Sequence, residues 1–136
     1  MATQIFVNLP VKDLKKSIDF FTKLGYTFNP NFTDDNATCM IISDTIYVML
    51  LVEPFFQTFT KKEIIDAKKG IESIICLSAE SREDVDRLVS LAVEAGGTTP
   101  NEKQDQGFMY NHAFEDLDGH LWEIMWMDPA AVPPTE

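Results

Sequence analysis

The second half of this chain restarts the pattern of the first. Val7-Asn8-Leu9 falls on Ile75-Cys76-Leu77 at an offset of 68. Asp13, Leu14, Ile18, Phe20 and Gly25 fall on Asp84, Val85, Val89, Leu91 and Gly96 at an offset of 71. Asp44, Val48, Met49 and Leu50 fall on Asp118, Trp122, Glu123 and Ile124 at an offset of 74. Unequal offsets imply matching elements joined by loops of different length. Self-similarity over so long a period marks a structural unit used twice.

Each half reads as β-α-β-β-β. In the first, residues 3–9 form a strand that Pro10 ends, and Asp13 caps a helix whose Leu14, Ile18, Phe21 and Leu24 recur at helical spacing. Gly25 stops that helix. Residues 26–32 read as extended with a bend at Pro30, and ATCMIIS and IYVMLLV as strands. In the second half, ESIICLSA is a strand and Ser81 an N-cap. The helix that follows puts Val85, Leu88, Val89 and Ala92 on one face and ends at Gly96-Gly97. GFMYNHAFED and LWEIMWM are strands about the Asp118-Gly119 turn.

The expected fold is therefore α+β: two βαβββ modules forming a curved eight-stranded mixed sheet, with helices on the convex face. The organisation expected is one domain over 1–136, with module 1 about 3–52, a connector about 53–70, module 2 about 71–128 and a tail at 129–136. The connector holds Phe55, Phe56 and Phe59, then a Thr60 cap and a short amphipathic helix. It is a candidate aromatic lid, with core or dimer packing the alternative.

Apolar residues at 45% and charged residues at 24% mark a globular chain. A net charge of −11 repels phosphate backbones and anionic lipid, so neither nucleic acid nor a membrane surface is an expected partner. No apolar run reaches the roughly 20 residues of a membrane span, and the start lacks a signal-peptide pattern. Cys39 and Cys76 sit in apolar runs and read as free buried thiols of a cytoplasmic protein.

The repeat, VKDLKKSIDFFTKLGY and AFEDLDGHLWEIMW together resemble the vicinal-oxygen-chelate superfamily: glyoxalase I, bleomycin-resistance proteins, extradiol dioxygenases and fosfomycin-resistance enzymes. Within it the chain is most similar to small proteins labelled as predicted lactoylglutathione lyases. The D-x-D-G-x-x-x-E element from Asp116 to Glu123 is the most specific part of the match. The resemblance implies a homodimer and metal ligands on the first and last strand of each module. Carried over, those positions are Phe6, Met49, Ile74 and Glu123. Only Glu123 suits a divalent metal, since Phe and Ile carry no donor and a thioether is soft. No cofactor is therefore expected, unless His112 and His120 help rebuild a metal site.

Strand alternation puts Phe6, Asn8, Met49, Leu51, Ile74, Cys76, Glu123 and Met125 on the concave face. Val7, Leu9, Val48, Leu50, Ile75, Leu77, Trp122 and Ile124 then lie under the helices. An apolar lining with a few polar groups is the usual form of a small-molecule site. Desolvation would raise the pKa of Glu123 and suit it to proton transfer, whereas a relic of a metal-binding ancestor is the alternative. Asn8 either binds ligand or satisfies a neighbouring strand. Cys76 packs unless a base stands beside it. His112 either faces the cavity or bonds a neighbouring strand.

Three functions follow as expectations. The first is binding of a small, largely apolar or aromatic ligand, without the usual metal. The second is a lyase, isomerase or dioxygenase using Glu123 as base or ligand. The third is a scaffold kept for interaction alone.

Overall fold

The computed structural model describes residues 2–131. Contacts divide the chain into two compact units, Met1–Asp66 and Ala67–Glu136. The first holds strands β1 (Ile5–Val11), β2 (Thr27–Phe28), β3 (Ala37–Ile41) and β4 (Ile46–Val52), with helices α1 (Leu14–Lys23) and α2 (Glu53–Phe56). The second holds β5 (Ile74–Ser78), β6 (Gln104–Asp105), β7 (Met109–Glu115) and β8 (Leu121–Met127), with helix α3 (Arg82–Glu94). The α+β class and the two βαβββ modules are as expected. The eight strands make two four-stranded mixed sheets, ordered β1-β4-β3-β2 and β5-β8-β7-β6. In each, the first strand runs parallel to the last and the remaining pairs are antiparallel.

Each main helix is fixed at both ends by local chemistry. Asp13 is extended and its carboxylate accepts Lys16 N–H at 3.1 Å, satisfying a donor the helix itself leaves open. Ser81 Oγ does the same for Asp84 N–H at 3.0 Å. Gly25 (φ 103) and Gly96 (φ 112) occupy the left-handed conformation that ends the helices. Between these ends α1 buries Leu14, Phe20 and Phe21, while α3 buries Val85, Leu88, Val89 and Ala92. A buried aliphatic or Phe side chain of this kind stabilises by about 1.5–3 kcal/mol.

The strands confirm the alternation. Leu9, Val48, Leu50, Trp122 and Ile124 are buried, while Phe6, Asn8, Ile74 and Cys76 are exposed. Leu51 is the exception, buried although it points away from α1.

Four details depart from the sequence reading. Pro10 lies inside β1, opposite Leu51 in the parallel ladder, and does not end the strand. β1 is the outermost strand of its sheet, where a missing backbone donor is tolerated. The helix expected after Thr60 does not form; the helical turns are α2 and the 3-10 turn Gln57–Phe59, upstream, where Pro54 starts the helix. Strand β6, two residues long, went unread. The offset between the helices is 71 from Leu14 and Val85 through to their glycines but 68 at their N-caps, Asp13 and Ser81, because α3 has 13 residues and α1 has 10. Of the expected tail, Pro129–Ala131 form a 3-10 turn and 132–136 lie outside the described residues. No described helix is long and apolar enough to cross a membrane.

Candidate functional site

In the first unit, the segment after β4 turns back over the sheet. Pro54 opens α2, and Phe55 packs edge-on against Phe59 with ring centroids 5.2 Å apart. Gln57 Nε2 donates to Thr60 O at 3.0 Å and Lys62 O at 2.8 Å, which closes the turn. The result is a pocket of about 330 Å³ lined by Asn8, Leu51, Phe56, Phe59 and Thr60. This covering segment explains why Leu51 is buried on the face turned away from α1.

The pocket is apolar with two polar groups. Asn8 Nδ2 donates one N–H to Phe6 O at 3.1 Å, which leaves its second N–H as a donor and its oxygen as an acceptor. Thr60 Oγ1 accepts Lys62 N–H at 3.1 Å, which leaves its O–H as a donor. Of the residues singled out from sequence, Asn8, Leu51 and Phe56 meet here, and Phe55 braces them through Phe59. Phe6 does not line the pocket; it stacks on Tyr47 with centroids 5.0 Å apart. Met49 lies between Asn8 and Cys39 in the ladder.

In the second unit, Cys76 and Glu123 are direct partners across β5 and β8. Desolvation, then the charge of Glu123 and a hydrogen bond to it, push the Cys76 thiol up to about 11. The thiol is thus protonated at neutral pH and is a donor to the carboxylate, the opposite of what a nucleophile needs. Cys76 keeps an exposed edge, which corrects its reading as a buried thiol. Met125 pairs with Ser78 and Asn111, and Ile74 is exposed opposite Leu121.

His112 does not join Glu123. It pairs with Ile124, whose side chain is buried on the α3 side, and it lines a surface recess with Asp86, Val89 and Lys103. The strand register puts it on the sheet face opposite Glu123, and its Nε2 lies 3.0 Å from Asn101 O. His120 sits in the β7–β8 turn, its backbone N–H bonded to Asp116.

The D-x-D-G turn is organised by a buried carboxylate. Asp116 accepts the N–H groups of Asp118 and His120, each at 3.0 Å, and Trp122 Nε1–H at 3.0 Å. Burial raises its pKa, against the pull of His120 and these three donors. Its role was not assigned from sequence, although an acid just before an Asp-Gly turn is the signal for it.

The comparisons with known proteins agree with this geometry. Residues 3–43 match the family model described as bleomycin resistance protein-like N-terminal. A solved structure of a hypothetical protein from S. aureus is 30% identical, with a TM-score of 0.78 over 93% of this chain and 95% of that one. The chain belongs to the glyoxalase/bleomycin-resistance/dioxygenase superfamily. Two further superfamily structures share the fold at 17% identity. One is a glyoxalase/bleomycin resistance protein/dioxygenase family enzyme from Burkholderia phytofirmans, with a TM-score of 0.77 over 93% of this chain and 99% of that one. The other is a glyoxalase-related enzyme from Fulvimarina pelagi, with a TM-score of 0.76 over 93% and 88%. No curated protein sequence matches the chain significantly.

The superfamily's metal enzymes raise one question that the donor chemistry answers. At the positions that the resemblance implies for their ligands stand Phe6, Met49, Ile74 and Glu123. Two are hydrocarbon and one a thioether, so this set does not fit a divalent ion held by oxygen and nitrogen. Among the described residues no three His, Cys, Asp or Glu side chains group closely enough to hold a metal.

Proposed function

We propose that this superfamily member binds a small, largely apolar or aromatic compound in the pocket between the first sheet and the α2 segment, without the superfamily's divalent metal. The pocket itself carries the reading: about 330 Å³, walled by Leu51, Phe56 and Phe59, with Asn8 and Thr60 as its polar groups. That volume suits a ligand of one or two rings, and an amide beside a hydroxyl suits a single polar substituent. Bleomycin-resistance proteins act by sequestration in this way.

The test is binding of N-phenyl-1-naphthylamine, a neutral aromatic fluorophore. Its emission should rise on mixing with the protein and fall back in Leu51→Trp, which fills the pocket. No rise, or equal rises with both proteins, sinks the proposal. Calorimetry with Ni, Zn, Fe, Mn and Co should give no stoichiometric heat; one ion per chain would overturn the metal-free reading.

A second reading makes Glu123 the general base of a lyase or isomerase. The half-buried position of Glu123 supports it. An activity that survives Glu123→Ala unchanged would remove it.

A further inference from the structure

The two modules close their main helices with opposite charges. Lys23 ends α1, and Glu94 ends α3 at the same offset of 71 that joins Gly25 to Gly96. The last turn of a helix presents unpaired carbonyls and the negative end of its dipole, so a cation stabilises it and a carboxylate does not. The last turn of α3 holds no basic residue, and Glu94 makes no ion pair or hydrogen bond among the described residues. Beside it Val93 is 47% exposed, a large apolar side chain left in water.

Both residues line the recess of about 400 Å³ between α3, the segment from Thr99 to Lys103, and β7. Val89 and Val93, one helical turn apart, form its apolar wall, and Ser90 and Thr99 add hydroxyls. His112 Nε2 lies 3.0 Å from Asn101 O. A carbonyl only accepts, so the neutral ring carries its hydrogen on Nε2 and keeps Nδ1 as an acceptor. The lysine of the recess, Lys103, is held at the other end. Its Nζ is 3.3 Å from Asp86 Oδ1, which also accepts the Tyr110 O–H at 2.6 Å. Asp86 and Glu94 stand two turns apart, about 12 Å along the helix. The Glu94 end is left with a carboxylate beside exposed hydrocarbon.

We propose that this recess binds a primary alkylammonium compound, with the ammonium at Glu94 and the chain along Val89 and Val93. An ammonium group has three N–H donors and no acceptor, and the carboxylate and hydroxyl oxygens here can all accept. The carboxylate makes the strongest of these bonds, because both partners are charged. The bound cation completes the end of α3 as Lys23 completes that of α1. Val89 to Val93 spans about 6 Å, the reach of a chain of about four to six carbons. A neutral alcohol of the same length gains the apolar wall without the charge, and a carboxylate meets repulsion. The recess lies wholly in the second unit and does not depend on the pocket of the first.

The experiment titrates isotope-labelled protein with hexylammonium and with hexanol by NMR, at elevated salt to screen the net charge of −11. The amide signals of Ser90, Val93, Glu94 and Thr99 should move, and the ammonium compound should bind at least about tenfold more tightly than the alcohol. Glu94→Gln and Glu94→Lys should both abolish that preference. Glu94→Lys should also raise the melting temperature, because it restores the favourable charge at the helix end. Glu72→Lys makes the same change of charge at an exposed position outside the recess and should keep the preference. Equal binding of the two compounds, signals that move only elsewhere, or an undiminished preference in the Glu94 variants overturns the proposal. So does an equal loss in Glu72→Lys, which would mark general attraction to an acidic surface. Leu51→Trp should leave the preference in place, so failure of the first-unit pocket and failure of this recess read out separately.

Discussion

Trp122 gives its indole N–H to Asp116 at 3.0 Å, and both side chains are buried. The same carboxylate holds the turn through two backbone donors, so it couples the β7–β8 connection to the core of the second unit. Removing it leaves three donors without their acceptor. Asp116→Ala should cost about 2–4 kcal/mol in chemical denaturation, with loss of the native tryptophan emission. A loss under about 0.5 kcal/mol would mean that the turn does not depend on the carboxylate.

Cys76 should alkylate slowly with iodoacetamide at pH 8, on a rate profile that rises through about 11. Glu123→Gln removes the charge that helps hold the proton, so the profile should move to lower pH. The sign for stability follows from linkage. Between the ordinary 9.0 and about 11 the folded thiol keeps a proton that the unfolded thiol releases, so stability falls as pH rises through that window. A profile indifferent to Glu123→Gln would show that the two side chains are not coupled.

Gly119 has φ 89, and a Cβ there would stand 2.8 Å from Lys68 N and 3.0 Å from Ala67 C. Both are backbone atoms and cannot swing aside as a side chain end can. Gly119→Ala should therefore destabilise the second unit by about 1–3 kcal/mol through conformation and contact together. Gly25→Ala meets only the conformational part, since nothing lies within 4 Å of that position, and should be the milder change in the same denaturation assay.

Arg82 sits 5.2 Å from the ring centroids of both Tyr110 and Trp126, and its guanidinium donates to Asp105 at 2.6 Å and Gly107 O at 2.8 Å. Lysine keeps the charge but loses the planar fork that serves rings and acceptors at once. Arg82→Lys should speed proteolytic nicking in 104–108 and shift tryptophan emission, with little change in global stability. Unchanged cleavage kinetics would show that the arginine does not hold the loop.

The modules were legible because their signals are local and doubled. Asp13 and Ser81 announce helix starts, Gly25 and Gly96 announce helix ends, and the alternation of Val48-Met49-Leu50 or Trp122-Glu123-Ile124 announces which face meets a helix. The pocket was half legible. Phe56 and Phe59 stood out as a possible lid, but Pro54 moved the helix upstream of Thr60, and only the folded chain brings Thr60 round to Asn8. His112 shows the limit of alternation. A strand whose neighbours are Asn111 and Ala113 does not declare its own phase until the register with β8 is known.

The three additional residues of α3 have an evolutionary consequence. The buried positions of the two helices stay in phase from the glycine end: Leu14 matches Val85, Ser17 matches Leu88, and Phe21 matches Ala92. The extra length therefore lies at the start of α3, at Arg82-Glu83-Asp84. If one ancestral segment was copied, the copies diverged in length at the end of the helix that the packing does not read. That turn carries Arg82, which clasps the β6–β7 loop in the second module and has no counterpart in the first. The two modules thus differ by a turn and a tether while the buried faces of their helices stay in register.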